Sequence, residues 1–165
     1  MPALGANAAL YYLNGSAEWI RIVNVRDLTV QMEADAFDET QRDATWKESD
    51  AGPISAALAF DLIAIPGDAA LTALRDAFLN EEPIDLLALD GATDDPTSNA
   101  AGIWLRCAVT KFMRSERIRD AIGIAIVAKP TISDEDPSWV EVLIDLDNGQ
   151  IVTDLDNGEL VLVTA

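Results

Sequence analysis

The sequence predicts a mainly β protein, an antiparallel β-sandwich or barrel with one flanking α-helix, followed by a C-terminal β-meander extension. Three observations lead there. Apolar and polar residues alternate with period two along most of the 165 residues, as in strands with one buried and one open face. A single segment, Ala69 to Leu79, breaks that period in favour of helical spacing. Turn-forming residues recur at short intervals, so hairpins can join antiparallel neighbours. With 50% apolar and 24% charged residues, the composition is globular, and a chain of this length can bury roughly 70% of its unfolded surface.

The elements follow in order. Ala8, Leu10 and Tyr12 alternate in a first strand, and Asn14-Gly15-Ser16 reads as a hairpin turn into Trp19 to Val23. Val25 to Glu33 sets Leu28, Val30 and Met32 on one face and Asp27, Thr29, Gln31 and Glu33 on the other. Ala34 to Ile54 reads as a long polar, acidic loop closed by Ala51-Gly52-Pro53. Loops of this length inside a domain are more often functional or interfacial than idle. Trp46 within it is costly to leave in water, so it is expected to dock on something, such as another chain.

Ser55 to Ile63 is the next strand, with Ala56, Leu58, Phe60 and Leu62 together. Pro66-Gly67-Asp68 then starts the helix with Asp68 as its N-cap. Ala70, Leu71, Leu74, Ala77 and Phe78 form an apolar stripe that covers the sheet. Pro83 opens the strand Ile84 to Asp90, and a turn-rich stretch to Asn99 closes it. Ile103 to Thr110 alternates again, a basic hairpin connection follows, and Ile122, Ile124 and Ile126 alternate with small residues. These elements make up a domain over residues 1–130, with the long loop at 34–54 and the helix at 68–80. Residues 131–165 form an acidic extension, in which two Asn-Gly turns join Val140 to Ile144, Gln150 to Thr153 and Glu159 to Val163.

Charge narrows the function. The net charge is −18 with no histidine, which disfavours ordinary nucleic-acid binding and removes the imidazole base and His-ligated zinc. The single Cys107 allows no intrachain disulfide or CxxC site. No signal peptide or long apolar run is present, so a secreted or membrane-spanning protein is not expected. Neither a phosphate loop nor a GxSxG elbow occurs, and no catalytic, cofactor or metal site is assigned; an enzyme is not expected. The repeat Asp145-Leu146-Asp147-Asn148-Gly149 and Asp154-Leu155-Asp156-Asn157-Gly158 departs from a calcium loop, because glycine falls at position 5 and Asp156 at position 12. A monomeric calcium-binding β-domain would explain this repeat and nothing else. Residues 111–130 carry five basic and two acidic side chains, whereas 131–165 carry nine acidic and none basic. These blocks can pair within one chain or between neighbours, or the basic one can be a solvated loop.

The hairpin with Leu10-Tyr11-Tyr12 and Trp19-Ile20, the run Asn24 to Val30, and the polar segment with Glu39-Thr40-Gln41-Arg42 and Trp46-Lys47 come first. Ala59-Phe60-Asp61-Leu62, the helix Asp68 to Phe78, Ile84 to Gly91, Val109 to Glu116 and Ala121 to Pro130 follow in order. Over about residues 5–130 this succession is similar to the major tail tube proteins of tailed bacteriophages and related tube-forming proteins. The resemblance implies hexameric rings stacked into a tube through which the genome passes, in a virion tail assembled in the host cytoplasm. It implies partners as well: the chain itself, the tape-measure, tail-tip and terminator proteins, and DNA in transit without sequence-specific binding. The long loop would bridge subunits, making Phe37, Arg42, Trp46 and Lys47 candidates for contacts between copies, with Arg114, Arg117 and Arg119 of the basic block beside them. An acidic lumen would repel phosphate, and Asp27, Thr29, Gln31 and Glu33 are its candidate lining. The inner tube of a contractile injection or secretion machine fits the same pattern.

Overall fold

The computed structural model describes residues 8–16, 18–38, 49–90, 100–116, 121–131, 136–145, 150–155 and 160–164. Its elements are β1 (Ala9–Leu13), β2 (Trp19–Arg21), β3 (Val25–Asp38), β4 (Ser49–Ile63), α1 (Ala69–Asn80) and β5 (Ile84–Leu89). The chain continues with β6 (Ala100–Ser115), β7 (Gly123–Pro130), β8 (Ser138–Asp145), β9 (Gln150–Leu155) and β10 (Leu160–Thr164). Every pairing is antiparallel. The fold is thus the predicted one: among the described residues, a sandwich-like, unclosed β structure with a single helix and a C-terminal meander.

The long strand β6 organises the two layers. Its first half pairs with β5 on one edge and β8 on the other, giving a first sheet in the order β2-β1-β5-β6-β8-β9-β10. Its second half pairs with β7, which leads through β4 to β3 in a second sheet. The register slips between Val109 and Lys111; such a bulge bends a strand and lets it pass from one sheet to another. Because β7 and β8 occupy successive stretches of the same β6 edge, the meander extends the first sheet.

Alternation fills the space between the layers. Leu10, Tyr12, Leu86, Ile103, Leu105 and Cys107 of the first sheet meet Leu58, Phe60, Leu62, Ile124 and Ile126 of the second in one buried core. Burial pushes the Cys107 thiol up to about 12, helped by the nearby Asp85 charge. The first sheet is apolar on its other face too: Ala9, Tyr11, Leu87, Leu89 and Val140 form a second cluster with Trp19 and Trp104 packed on it. Covering on both faces explains why β5 reads Ile-Asp-Leu-Leu-Ala-Leu, an almost unbroken apolar run.

Helix α1 closes the core as its stripe predicts, with Ala70, Leu74 and Ala77 buried and Phe78 stacked on Phe112 at 6.0 Å. The Asp68 side chain accepts from the Ala70 N–H at 2.9 Å, the expected N-cap. Glu81 ends the helix in the left-handed conformation, its N–H donating to the Ala77 carbonyl. At the corner between β2 and β3, the nearly buried Asn24 donates its side-chain amide to the Ile63 carbonyl and so ties that corner to the end of β4. The Asn14-Gly15-Ser16 turn works through a side chain: Asn14 Oδ1 accepts from the N–H groups of Ser16 and Glu18, both at 2.9 Å.

Candidate assembly surface

The expected loop over residues 34–54 is corrected by the structure. β3 continues to Asp38 and β4 already begins at Ser49, so only residues between them remain as a connection. Period-two alternation persists past Glu33, with Ala34 and Ala36 against Asp35, which is the signal for the longer strand. Gly52-Pro53, read as a stop, is taken up instead where the register shifts between Ala34 and Ala36. A bulge accommodates a proline that has no N–H to give the ladder.

Strands β3 and β4 hold the core near Leu58 to Leu62 and then run on as a two-stranded wing. Thr29 to Ala36 are all exposed, as are Ala51 and Pro53 to Ser55. The face of the wing that continues the core carries Val30, Met32 and Ile54, with Met32 52% and Ile54 75% exposed. An apolar cleft of about 340 Å³ opens between this face and the first sheet, lined by Leu28, Val30, Met32, Ala88, Ile103 and Trp139. Trp139, at the start of β8, is 56% exposed there. Trp139 directly precedes the predicted strand Val140 to Ile144, and its exposure depends on where β8 joins β6.

The opposite face of the second sheet is where the candidate lining residues fall. Thr29, Gln31 and Glu33 stand opposite Ala59, Ala57 and Ser55. Asp27 leaves this series. It occupies a bulge with φ 51°, and Arg26 opposite Asp61 takes the register position two residues from the Thr29–Ala59 pair on the β4 side. A short polar residue such as aspartate tolerates this left-handed conformation, and the extra residue resets the alternation. On this face β7 adds Ala125 and Val127, and β6 adds Lys111 and Met113 opposite them. Lys129, two residues beyond Val127, is also exposed. Arg26, Lys111 and Lys129 therefore stand with Asp61 and Glu33, so the named charges of this face sum to +1 in a chain of net charge −18.

The other candidates divide as follows. Phe37 lies on β3 opposite Asp50. Arg114 stands near the end of β6 opposite Ile124 and pairs with Glu116 at 2.5 Å, both side chains more than half exposed. Arg42, Trp46, Lys47, Arg117 and Arg119 lie outside the described residues. Asn148-Gly149 and Asn157-Gly158 do as well, although the strands they join are paired as a meander.

One partly buried charge sits on the outer face of the first sheet. Asp85 Oδ2 is 3.8 Å from Arg106 Nη1, and the Asp85 side chain is only 14% exposed. Burial holds its carboxyl above the usual carboxylate range, opposed by the Arg106 guanidinium and by the Trp104 indole. Among the described residues no group of three or more His, Cys, Asp or Glu is placed to hold a metal ion.

This geometry has parallels among known proteins. The SPP1 tail tube superposes with a TM-score of 0.66 at 13% identity, over 78% of this chain and 75% of that one. A chain from the virion of a native gene transfer agent particle gives 0.66 at 13% identity, over 84% and 98%. A chain from the anti-feeding prophage baseplate gives 0.57 at 8% identity, over 84% and 95%. No curated protein sequence matches the chain significantly. The phage tail tube protein family matches residues 6–112, a stretch that runs from β1 through the wing, the helix and β5 into β6. On that match, carried over most of the sandwich just described, the chain belongs to the phage tail tube protein family.

Proposed function

We propose that copies of this chain assemble into hexameric rings that stack into a tail tube, a conduit for DNA, and that the chain has no catalytic role. The observation that carries this reading is the wing. Among the described residues its edge strand β3 pairs only with β4, and its core-side face stays exposed at Met32 and Ile54. Long edges and exposed apolar faces are aggregation hazards in a monomer and become interfaces once neighbours cover them. Thr29, Gln31 and Glu33 line the channel. Small and hydroxylated side chains surround them, with Glu33 and Asp61 set among Arg26, Lys111 and Lys129, so the wall is one of mixed charge. Tape-measure, tail-tip and terminator proteins are the further partners, in a virion tail assembled in the host cytoplasm. A second reading, the tube of a contractile injection system, is favoured by the fold shared, at a TM-score of 0.55, with a chain of an extracellular contractile injection system over 84% of this one.

Negative-stain electron microscopy with light scattering on the purified chain tests the proposal. Rings or tubes with a central channel and sixfold class averages are expected. A 17.7 kDa monomer at every concentration, or rings of another symmetry, would overturn self-assembly or the ring number respectively. Tubes recovered from particles inside a surrounding sheath would select the second reading.

A further inference from the structure

Carboxylates outnumber basic side chains 29 to 11 in this chain, so a lysine or arginine on its surface is expected to meet an anion. Arg75, Arg106 and Arg114 each do. Arg26, Lys111 and Lys129 do not: among the described residues none of the three forms an ion pair, and all three are exposed. By register they share the outer face of the second sheet. Lys111 stands opposite Val127, Val127 opposite Ala59 and Ala59 opposite Thr29. Lys129 lies two residues further along β7, opposite Ala108, and Arg26 stands on the far side of the face, opposite Asp61.

Sheet geometry sets the spacing. Lys111 and Lys129 are one strand and two residues apart, about 8 Å between Cα atoms. On this face Asp61 lies two strands and two residues from Lys111, and Glu33 as far from Lys129, about 12 Å in each case. Both separations exceed the ~8 Å Debye length of physiological salt. Glu33 is also engaged by the Gln31 side-chain amide, which donates to its Oε1 at 2.5 Å. Ala59, Ala125 and Val127 make a low floor beside the lysines, and near Arg26 and Met113 the face opens into a hollow of about 440 Å³. Such a floor lets an extended backbone come close and offers no donor or acceptor to read a base edge. A lysine ammonium is a point charge that suits phosphate, and about 8 Å is near the distance between successive phosphates of one strand.

Resting on the reading of this face as the channel wall, we infer that Lys111 and Lys129, flanked by Arg26, make sequence-independent contacts with successive phosphates of nucleic acid in transit. Contacts so few are weak and salt-dependent, since each phosphate neutralised adds only a small increment to affinity. Asp61 and Glu33 limit the grip further. The wall then guides a moving polyanion and lets it go.

The full-length chain, the variant Lys111→Gln with Lys129→Gln, and Arg75→Gln on α1 as a control test this. Fluorescence anisotropy of a labelled mixed-sequence DNA duplex is followed between about 20 and 150 mM salt, and circular dichroism checks that the variants keep the wild-type fold. The wild-type chain is expected to bind weakly and without sequence preference. The double variant is expected to lose on the order of tenfold in affinity at the lowest salt and to lower the slope of log affinity against log salt by about two; the control should match wild type. No binding by the wild-type chain at the lowest salt, a double variant that binds like wild type, or a loss shared by the control would overturn the contact. So would a polyglutamate peptide that displaces the duplex better than unlabelled DNA of equal charge, which would assign the lysines to an acidic protein segment. Electron microscopy of the same wild-type sample separates the two readings: tubes without DNA binding remove the phosphate contact alone, and a chain that never assembles removes the reading on which it rests.

Discussion

Gly102 is the position where one methyl group has the largest predictable consequence. It is buried in β6, opposite Leu89 of β5 and Val140 of β8, in the row that carries the second apolar cluster. A Cβ there would lie 1.9 Å from the Ala88 carbonyl oxygen and 2.8 Å from both the Ala88 carbonyl carbon and Leu89 Cα. All three are backbone atoms, so no rotamer change relieves the clash; β5 and β6 must separate by more than an ångström. Overpacking of this kind costs about 1–3 kcal/mol, and a ladder hydrogen bond strained or lost adds about 1 kcal/mol. Gly102→Ala is thus expected to lose roughly 2–4 kcal/mol, a large share of the ~5–15 kcal/mol that holds a typical domain. At roughly 2–4 °C per kcal/mol for a chain of this size, the melting temperature should fall by roughly 5–15 °C. The assay is a thermal melt by far-ultraviolet circular dichroism, with Gly15→Ala as the control. Gly15 has no atom within 4 Å of its built Cβ and no left-handed φ, so alanine there should stay within about 0.5 kcal/mol of wild type. A Gly102→Ala melt within about 2 °C of wild type, or an equal loss in both variants, would show that the β5–β6 approach is not close in solution.

The remaining predictions concern buried ionisable groups. The Asp85 carboxyl is raised above its unfolded value, chiefly by burial, so the folded state holds its proton to higher pH than the unfolded one. The associated stability is complete below the unfolded value and is lost as pH rises through the folded one. Asp85→Asn should therefore flatten the fall in stability with rising pH just above the ordinary carboxylate range; urea titrations of both proteins at several pH values check it, and parallel curves would contradict it. Cys107 is fully buried with its thiol pushed up to about 12. It should resist a thiol reagent at neutral pH until the chain is unfolded in denaturant; rapid labelling of the native protein would refute its place in the core.

The β character, the helix and its cap, the meander and the family resemblance could all be read locally. Each rests on a period, a cap residue or a turn, and those signals span a few neighbouring residues. Alternation along Leu58, Phe60 and Leu62 and along Ile124 and Ile126 marked core side chains because one buried face forces it, whereas β5, apolar on both faces, shows no such period. Local signals misled where a single residue resets the phase. Asp27 occupies a bulge that only its pairing with β4 reveals, which put Arg26 rather than Asp27 on the face with Thr29, Gln31 and Glu33. Gly52-Pro53 looked like the end of a loop and lies inside a strand, since a bulge absorbs the missing N–H. The switch of β6 between sheets and the closeness of Gly102 to β5 depend on which strands meet. Those meetings join residues tens of positions apart, and pairing at that range is a property of the packed chain that no local pattern encodes.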